Sequence, residues 1–240
     1  MSINLDNVTN IMLGNTPVEQ IADSQGNVLW SSAPVVLPNY FYMEDVSGAD
    51  NTVKIKKFNT AAPDVTIYKS TDTTNWSLVG TTSINDLNIV VPANSKVYLK
   101  STTNAYSTSS NNYNYFYTAT GNFNIGGNIM SLLYGDNFVN KTTLSTRSFN
   151  KLFTTNTYVN ISDLILPATT LANNCYYRMF RGCTRLNKII TYANDISATD
   201  CLTNWLDGVS ATGDFYNLGG ATYPSGVSGI PSGWTIHTSL

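Results

Sequence analysis

Three short windows between residues 149 and 206 carry the same pattern of apolar residues. Each has apolar side chains at positions i, i+3 and i+4, a spacing that predicts one stripe of a short helix. The windows begin 27 and 26 residues apart, which is typical of structural repeats that stack on one another. We therefore predict that their nine apolar residues form a repeat core: Phe149, Leu152, Phe153, Tyr176, Met179, Phe180, Leu202, Trp205 and Leu206.

A second apolar run follows each window about ten residues later, at 164–166, 188–190 and 215–216. These runs have the length of short strands, and a helix, a turn and a strand in every repeat predict an α/β solenoid. Three repeats are near the minimum for a stable stack, and both ends need a cap. We expect residues 123–140 to cover the first end and residues 219–234 to cover the other.

The most specific stretch of the chain is LPATTLANNCYYRMFRGCTRL, residues 166–186. It resembles the BspA-like leucine-rich repeats of gut bacteria and their phages. The resemblance runs from about residue 149 to the end of the chain, with residues 127–138 similar to the lead-in of such repeats and residues 229–236 similar to their ending. It implies a C-terminal BspA-like leucine-rich-repeat domain over residues 127–240 that serves as a binding scaffold.

Residues 1–33 form a separate unit, predicted to be a small module of β-hairpins. Its apolar residues are too few to enclose one another, so they must pack on something else. The unit ends in a Leu-Trp pair and is similar to the short N-terminal modules that begin many phage structural proteins. We interpret it as an attachment module for other virion proteins, with packing on this chain's own next domain as the alternative. The attachment candidates are Ile11, Leu13, Val18, Ile21, Val28, Leu29 and Trp30.

Residues 34–126 are predicted to form an antiparallel β-sandwich. Short runs rich in β-branched and aromatic residues alternate with turn clusters, which is the pattern of such domains. The predicted strands are 40–43, 52–58, 65–69, 76–79, 87–91, 96–100, 113–118 and 123–125. With the hairpin module and the repeats, this makes the chain mainly β.

An aromatic tract near the end of this domain supplies candidates for glycan contact: Tyr106, Tyr113 and Tyr115. Aromatic rings offer flat apolar faces, and the surrounding Asn residues offer amide donors and acceptors. Alternation places Tyr113, Tyr115 and Tyr117 on one face of a strand. The alternative is that this face belongs to the core or packs on the repeats.

Charge and composition narrow the classes of partner. Charged residues are only 12% of the 240 residues and the formal net charge is −2, so we expect no binding to nucleic acid. A surface rich in Tyr, Asn, Thr and Gly suits neutral partners such as glycans. No apolar run approaches the ~18 residues that span a bilayer, so we expect no membrane insertion. The N-terminus has no secretory signal pattern, which favours a protein made in the host cytoplasm.

Residues that carry catalysis or bind metals are sparse. His237 is the only histidine, and the three cysteines, Cys175, Cys183 and Cys201, are interpreted as buried core thiols. Glycosidases need two carboxylates about 5–10 Å apart, and the two Glu residues, Glu19 and Glu44, both lie outside the repeats. We predict no enzyme activity, no metal site and no cofactor.

These features together favour a phage structural protein, a fibre or appendage on the head or tail that decorates the virion and contacts a host-surface glycan or protein. The first alternative is a BspA-like surface adhesin on the bacterial cell surface, and the second is a polysaccharide depolymerase. A homo-oligomer, with a trimer as the guess, is expected because appendages are commonly symmetric.

Overall fold

The computed structural model describes residues 39–240 and the backbone of four short strands before them. Strand β1 (Met12–Leu13) pairs antiparallel with β2 (Thr16–Pro17), and β3 (Gln20–Ala22) pairs antiparallel with β4 (Val28–Ser31). These strands belong to one compact unit, Met1–Leu37. The remainder, Pro38–Leu240, is a second compact unit.

Ten strands form two sheets in the first part of the second unit. They are β5 (Tyr42–Asp45), β6 (Asn51–Lys57), β7 (Thr66–Ser70), β8 (Ser77–Thr81), β9 (Leu87–Val91), β10 (Lys96–Lys100), β11 (Ser107–Ser109), β12 (Asn112–Thr118), β13 (Phe123–Gly126) and β14 (Val159–Ile161). One sheet has the order β14-β13-β5-β10-β7-β8 and the other has the order β11-β12-β6-β9. All pairs are antiparallel except β13–β14.

The two sheets share one hydrophobic core because their strands alternate. In β6, every second residue from Asn51 to Lys57 is buried and the others are partly exposed. Buried residues from both sheets, including Met43 and Leu99 in one and Ile55 and Phe116 in the other, belong to the same cluster. All eight strands expected in this region are present, shifted at most by two residues. The sequence did not suggest β11, since its Ser-Thr-Ser run carries no hydrophobic signal.

A parallel sheet of four strands lies in the second part. Its order is β15 (Ile165–Leu166), β16 (Lys188–Thr191), β17 (Gly213–Asn217) and β18 (Trp234–His237). Before it come a single helical turn, α1 (Ser131–Tyr134), and a 3₁₀ turn at Gly135–Asn137. The chain is 36% strand and 3% helix, so it is mainly β, as predicted.

The helices predicted for the three apolar windows are wrong. Residues 147–156, 173–183 and 199–208 are successions of turns. Every second backbone amide donates to the carbonyl three residues earlier, as Leu152 N does to Phe149 O. The amides between them donate to backbone carbonyls of the next window. Phe149 N donates to Cys175 O at 2.9 Å, and Phe180 N donates to Trp205 O at 3.0 Å. Half of the amides are therefore used between windows, where a helix would use them within itself.

Left-handed backbone at every fourth position explains why no helix forms. The residues are Arg147, Lys151 and Thr155 in the first window, Asn174, Arg178 and Gly182 in the second, and Asp200, Asn204 and Gly208 in the third. Each has φ between 51° and 74°. A right-handed helix cannot contain such residues, because their carbonyls point away from the helix axis.

The nine predicted repeat-core residues are all buried, at 5% exposure or less. Their rings form two columns. In one, Phe149, Tyr176 and Trp205 lie parallel with centroids 6.2 Å apart at each step. In the other, Phe153 and Phe180 stack at 5.6 Å with 7° between their planes. The spacing of apolar residues thus marks the buried face correctly, although the backbone that presents it is not helical.

Other parts of the chain cover both ends of these columns. At the first end, Tyr106 lies 6.1 Å from Phe149, and Phe116 stacks on Phe153. At the far end, Tyr223 stacks on Trp205 at 6.2 Å. The core is continuous from residue 41 to residue 234, so it extends through both of the regions predicted as separate domains, 34–126 and 127–240.

Candidate functional site

The outer face of the six-stranded sheet carries a band of aromatic and charged side chains. Tyr42 and Tyr98 lie next to each other on this face with ring centroids 5.8 Å apart; Tyr98 is partly exposed, whereas Tyr42 is covered and only 3% exposed. One strand further along, Lys100 pairs in register with Tyr68, whose side chain is exposed. This band leads toward the turn at Gly135–Asn137, where the surface becomes concave.

A groove begins at that point and consists of two adjoining cavities. The smaller cavity, about 310 Å³, is lined by Tyr68, Trp76, Lys100, Ser101, Gly135 and Asp136. The larger, about 880 Å³, is polar and is lined among others by Thr103, Asn104, Tyr134, Asn137 and Lys141. Thr102 and Asp136 line both cavities, so the groove runs past them from Trp76 to Ser145.

Asp136 is the centre of a hydrogen-bond network in the groove. Lys100 Nζ donates to both of its carboxylate oxygens, at 2.6 and 2.8 Å, and Tyr40 Oη donates to Oδ1 at 2.8 Å. The hydrogen bond from Lys100, followed by that from Tyr40, lowers the pKa of Asp136. Burial and the bond to Asp136 raise the pKa of Tyr40 to about 12. The carboxylate therefore stays ionised and the phenol stays protonated over the neutral pH range.

The side chain of Asp136 keeps 63% of its surface exposed despite these three hydrogen bonds. Asp136 follows Gly135, which has a left-handed backbone (φ 54°). A Cβ at residue 135 would lie 2.9 Å from the Thr102 hydroxyl, so this turn favours glycine. The outward lone pairs of Asp136 remain open to a ligand. The groove thus offers a fixed carboxylate acceptor next to hydroxyl and amide groups.

Trp76 forms the aromatic wall at one end of the groove. Its ring lies between Tyr40, at 4.7 Å between centroids, and Lys100 Nζ, at 4.2 Å from the Trp76 ring. Trp76 Nε1 donates to Thr73 O at 3.1 Å. The preceding turn is held by Asp72, whose carboxylate accepts hydrogen bonds from Asn75 and other turn residues, so that the pKa of Asp72 is lowered. Trp76 is therefore fixed before any ligand binds.

This arrangement matches the chemistry of a polyhydroxylated ligand. A flat exposed ring such as that of Tyr68 can cover the C–H face of a sugar, while a carboxylate and amides hydrogen-bond its hydroxyls. Asp136 is the one carboxylate among the residues that line the two cavities. General acid–base hydrolysis of a glycoside needs two such groups, so the groove as lined is suited to binding.

The three tyrosines predicted to contact a glycan do not lie in equivalent positions in the structure. Tyr106 is wrong as a glycan contact: it is 0% exposed and its ring packs on Phe149 in the core. Tyr113 is also nearly buried, at 6%, because Phe58 stacks on it with centroids 4.7 Å apart. Tyr115 is partly exposed, and it lies beside Tyr113 at 5.3 Å.

Tyr113, Tyr115 and Tyr117 do share one face of β12, on the outside of the four-stranded sheet. Together with Phe58 they form a continuous row of rings, here called the aromatic strip. Lys56 Nζ lies 4.4 Å from the Tyr117 ring, and Tyr117 Oη donates to Asp86 at 2.6 Å. The alternative interpretation of the tract therefore holds for Tyr106, which lies in the core, and for Tyr113, which is covered by Phe58 and by Lys151 of the first window; Tyr115 and Tyr117 stay partly exposed.

The attachment candidates lie in the first unit. Ile11 and Val18 are outside the described residues. Leu13, Ile21 and the run 28–30 belong to strands whose backbone alone is described, so their role as an attachment surface stays a prediction.

The remaining chemical groups are arranged as follows. Cys175, Cys183 and Cys201 are free and buried, and burial raises the pKa of each thiol. His237 Nε2 lies 2.7 Å from an Asp214 oxygen and the imidazole stacks on Tyr216 at 4.5 Å. Among residues 39–240 no group of three His, Cys, Asp or Glu side chains is placed to hold a metal ion.

Sequence reasoning did not find the groove. Its residues come from four separate segments, and only the hairpin around Tyr68 and Trp76 carried a visible signal. A tryptophan at the end of an Asp-Thr-Thr-Asn turn, outside any predicted apolar face, was the clue available.

Comparison of the chain with protein-family models, with curated proteins and with solved structures gives no match. Within the part of the chain that the structure describes, no helix has the length and apolar character needed to cross a membrane.

Proposed function

We propose that this protein is a non-enzymatic structural protein of a phage particle, an appendage that decorates the virion and binds a neutral glycan on the host surface. The groove around Asp136 is the observation that carries the glycan-binding part. It combines exposed rings, one ionised carboxylate and a polar wall of Thr and Asn side chains. The resemblance of residues 166–186 to BspA-like repeats supports the phage or gut-bacterial setting.

Residues 127–240 form, in this proposal, a short BspA-like leucine-rich-repeat solenoid. Three observations support it: the parallel sheet β15–β18, the windows joined by backbone hydrogen bonds at offsets of 26 and 25 residues, and the ring columns. The repeats would use stacked turns in place of helices. The two-sheet region covers the first end, and the groove and the proposed repeats belong to the same compact unit.

Binding to a purified neutral host polysaccharide, measured by calorimetry with the full-length protein, tests the glycan proposal. Tyr68→Ala removes an exposed ring that the ligand would cover. Losing about 1.5–3 kcal/mol of binding free energy from that contact corresponds to an affinity roughly 10-fold lower or more. Asp136→Asn keeps the shape of the side chain but removes its charge, so it should also weaken binding. Ile236→Ala, a change on β18 at a residue that is 56% exposed against 39% for Tyr68, should leave binding unchanged.

The outcome that refutes glycan binding at this groove is an unchanged affinity in Tyr68→Ala and Asp136→Asn, with melting temperatures equal to that of the unmodified protein. Release of new reducing ends that Asp136→Asn abolishes would instead favour the depolymerase.

The virion proposal has its own test. The full-length protein should co-purify with particles, and a variant lacking residues 1–33 should remain folded, since residues 38–240 have their own continuous core, yet fail to join particles. Normal incorporation of the shortened variant would refute attachment through this module. Recovery of the protein on bacterial envelopes and never on particles would favour the surface adhesin.

A further inference from the structure

A cluster of cationic residues lies on the stacked turns, and none of its members lines the Asp136 groove. All four arginines of the protein fall between residues 147 and 185. Three of them, Arg147, Arg178 and Arg181, surround Lys151, and these four residues are here called the cationic face. The chain as a whole has a net charge of −2, so this concentration of positive charge is local.

The stacked turns bring these four residues together. Lys151 N donates to the carbonyl of Tyr177 at 2.9 Å, which places Lys151 beside Arg178. Arg147, Lys151 and Arg178 all have left-handed backbone, with φ of 63°, 59° and 51°. At these positions a side chain points away from the ring columns, so charge accumulates on one outer side of the turns.

Carboxylates do not neutralise this face. Among residues 39–240, Asp207 forms the one ion pair with it, to Arg181 Nε at 2.9 Å. Four cations less one carboxylate leave a local charge of +3. The pKa of Lys151 is lowered, first by burial and then by the charges of Arg178, Arg181 and Arg147, which is the mark of cations held near one another.

Two guanidinium groups on this face also have unused donors. Arg147 Nη1 and Arg178 Nε are buried and have no hydrogen-bond partner among the described residues. A buried donor without an acceptor costs free energy comparable to a lost hydrogen bond. These two atoms are themselves closed to solvent, but both arginine side chains are partly exposed, and guanidinium groups bind carboxylate and phosphate oxygens through paired hydrogen bonds.

Aromatic rings continue the cationic face. Lys151 Nζ lies 4.6 Å from the centre of the Tyr113 ring, and the Arg178 guanidinium lies 4.9 Å from the Tyr177 ring. Tyr113 is the member of the aromatic strip closest to this point, followed by Phe58, which is 52% exposed, and Tyr115. Flat rings next to unpaired cations suit a ligand that has both apolar sugar faces and negative charge.

We infer that the cationic face and the adjoining aromatic strip bind an anionic polysaccharide, with the guanidinium groups on its carboxylates or phosphates and the rings on its sugars. This site is distinct from the Asp136 groove, and it does not depend on the neutral glycan proposed for that groove. A particle protein with both sites would recognise two chemically different components of one cell surface.

The experiment uses the full-length protein and three probes: polygalacturonate, which carries carboxylates; poly(glycerol phosphate), which carries phosphates; and dextran, which is neutral. Binding to at least one of the two anionic probes should be measurable at 50 mM NaCl, an illustrative low-salt condition at which the Debye length is on the order of 14 Å. It should weaken as salt rises, because exposed charges are screened. Dextran should show no binding that depends on this face. The preferred anionic probe identifies which acid group the face selects.

The decisive variants change charge at matched positions. The double variant Arg147→Gln, Arg178→Gln should bind the anionic probe about 10-fold more weakly or worse, since two charged hydrogen-bonding groups are lost. Lys69→Gln with Lys96→Gln removes the same charge elsewhere and should have little effect. The double variant Arg147→Lys, Arg178→Lys keeps the charge but not the paired donors. Its affinity for the anionic probe should lie between the affinities of the other two double variants.

Three results would overturn the inference: equal weakening by the Lys69 and Lys96 variant, unchanged binding in the Arg147 and Arg178 variant, or equally tight binding to duplex DNA or to anionic phospholipid vesicles. The first and third would mean nonspecific charge attraction. Tyr115→Ala provides a variant that leaves the turns untouched, and it should weaken polysaccharide binding while the melting temperature stays the same.

Discussion

The ring of Phe116, from the four-stranded sheet, lies parallel to the ring of Phe153, from the first stack of turns, with centroids 5.3 Å apart and 15° between their planes. Both side chains are fully buried. Backbone bonds reinforce the contact, since Phe116 N donates to Leu152 O at 2.7 Å. The two-sheet region therefore covers the first end of the ring columns.

The ring columns give the first prediction. Phe180 is fully buried and stacks on Phe153, so Phe180→Ala should lower the free energy of unfolding by roughly 3–5 kcal/mol. Ile84→Ala, an exposed apolar truncation, should change it by less than about 0.5 kcal/mol. Urea unfolding followed by circular dichroism measures both. A Phe180→Ala protein as stable as the Ile84→Ala protein would contradict a packed column.

The left-handed positions give the second prediction. Thr155 (φ 58°) occupies the place that Gly182 and Gly208 fill in the next two windows. A β-branched residue is strained there by about 1–2 kcal/mol, and the entropic cost of glycine offsets part of that. Thr155→Gly should therefore stabilise the protein by on the order of 0.5–1 kcal/mol.

The reciprocal change is the control for this prediction. Gly182→Thr introduces the same backbone strain and also places a Cβ 3.3 Å from Thr155 Cα, so it should lower the melting temperature. A fall in the melting temperature of Thr155→Gly would show that the Thr155 hydroxyl, which donates to Thr154 O at 2.7 Å, matters more than backbone strain.

Asp45 gives a prediction about pH. Burial alone would raise the pKa of this carboxylate, but hydrogen bonds from Ser47, Asn94 and Gly48 outweigh burial and the pKa lies below its ordinary value of 3.8. Since the folded-state pKa is the lower one, the stabilisation is complete above pH 3.8 and is lost as the pH falls through the folded-state pKa.

Asp45→Asn should destabilise the protein by about 1–3 kcal/mol at pH 7, because an amide cannot accept from all of these donors. The difference in unfolding free energy between Asp45→Asn and the unmodified protein should then shrink below pH 3.8. Urea titrations at several pH values measure this. A difference that stays constant down to pH 2 would contradict the role assigned to the charge.

The cysteines give the last prediction. Cys183 is fully buried, its Sγ donates to Phe153 O at 3.0 Å, and burial raises the pKa of the thiol. Thiolate is the reactive form, so the three thiols should react with a thiol reagent only as fast as the protein unfolds. Quantitative labelling with and without urea tests this. Rapid labelling of one thiol in the native protein would point to local opening near that residue.

The periodic features of the sequence predicted much of this fold. Short runs of β-branched and aromatic residues between turn clusters located eight strands, and the 26- to 27-residue spacing identified which side chains of the three windows are buried. Both signals depend on which side of the chain meets the core, and this is encoded locally in the order of apolar and polar residues.

The kind of backbone in the windows could not be predicted in the same way. Apolar residues at i, i+3 and i+4 fit a helix, but they also fit stacked turns that repeat every four residues with a left-handed residue at every fourth position. What decides between them is whether alternate amides, such as that of Lys151, find carbonyl partners in the neighbouring window. That choice depends on contacts about 26 residues away.

In the candidate sites, too, some features follow from the local sequence and others from long-range packing. By itself, the sequence determined that Tyr113, Tyr115 and Tyr117 share a face and that charge is scarce along the chain. Only the tertiary structure decided that Tyr106 points into the core while Trp76 and Asp136, sixty residues apart in sequence, line one groove with Lys100. Local order sets the side of a strand on which a residue lies. What then covers that side is set by long-range packing between segments that no local pattern connects.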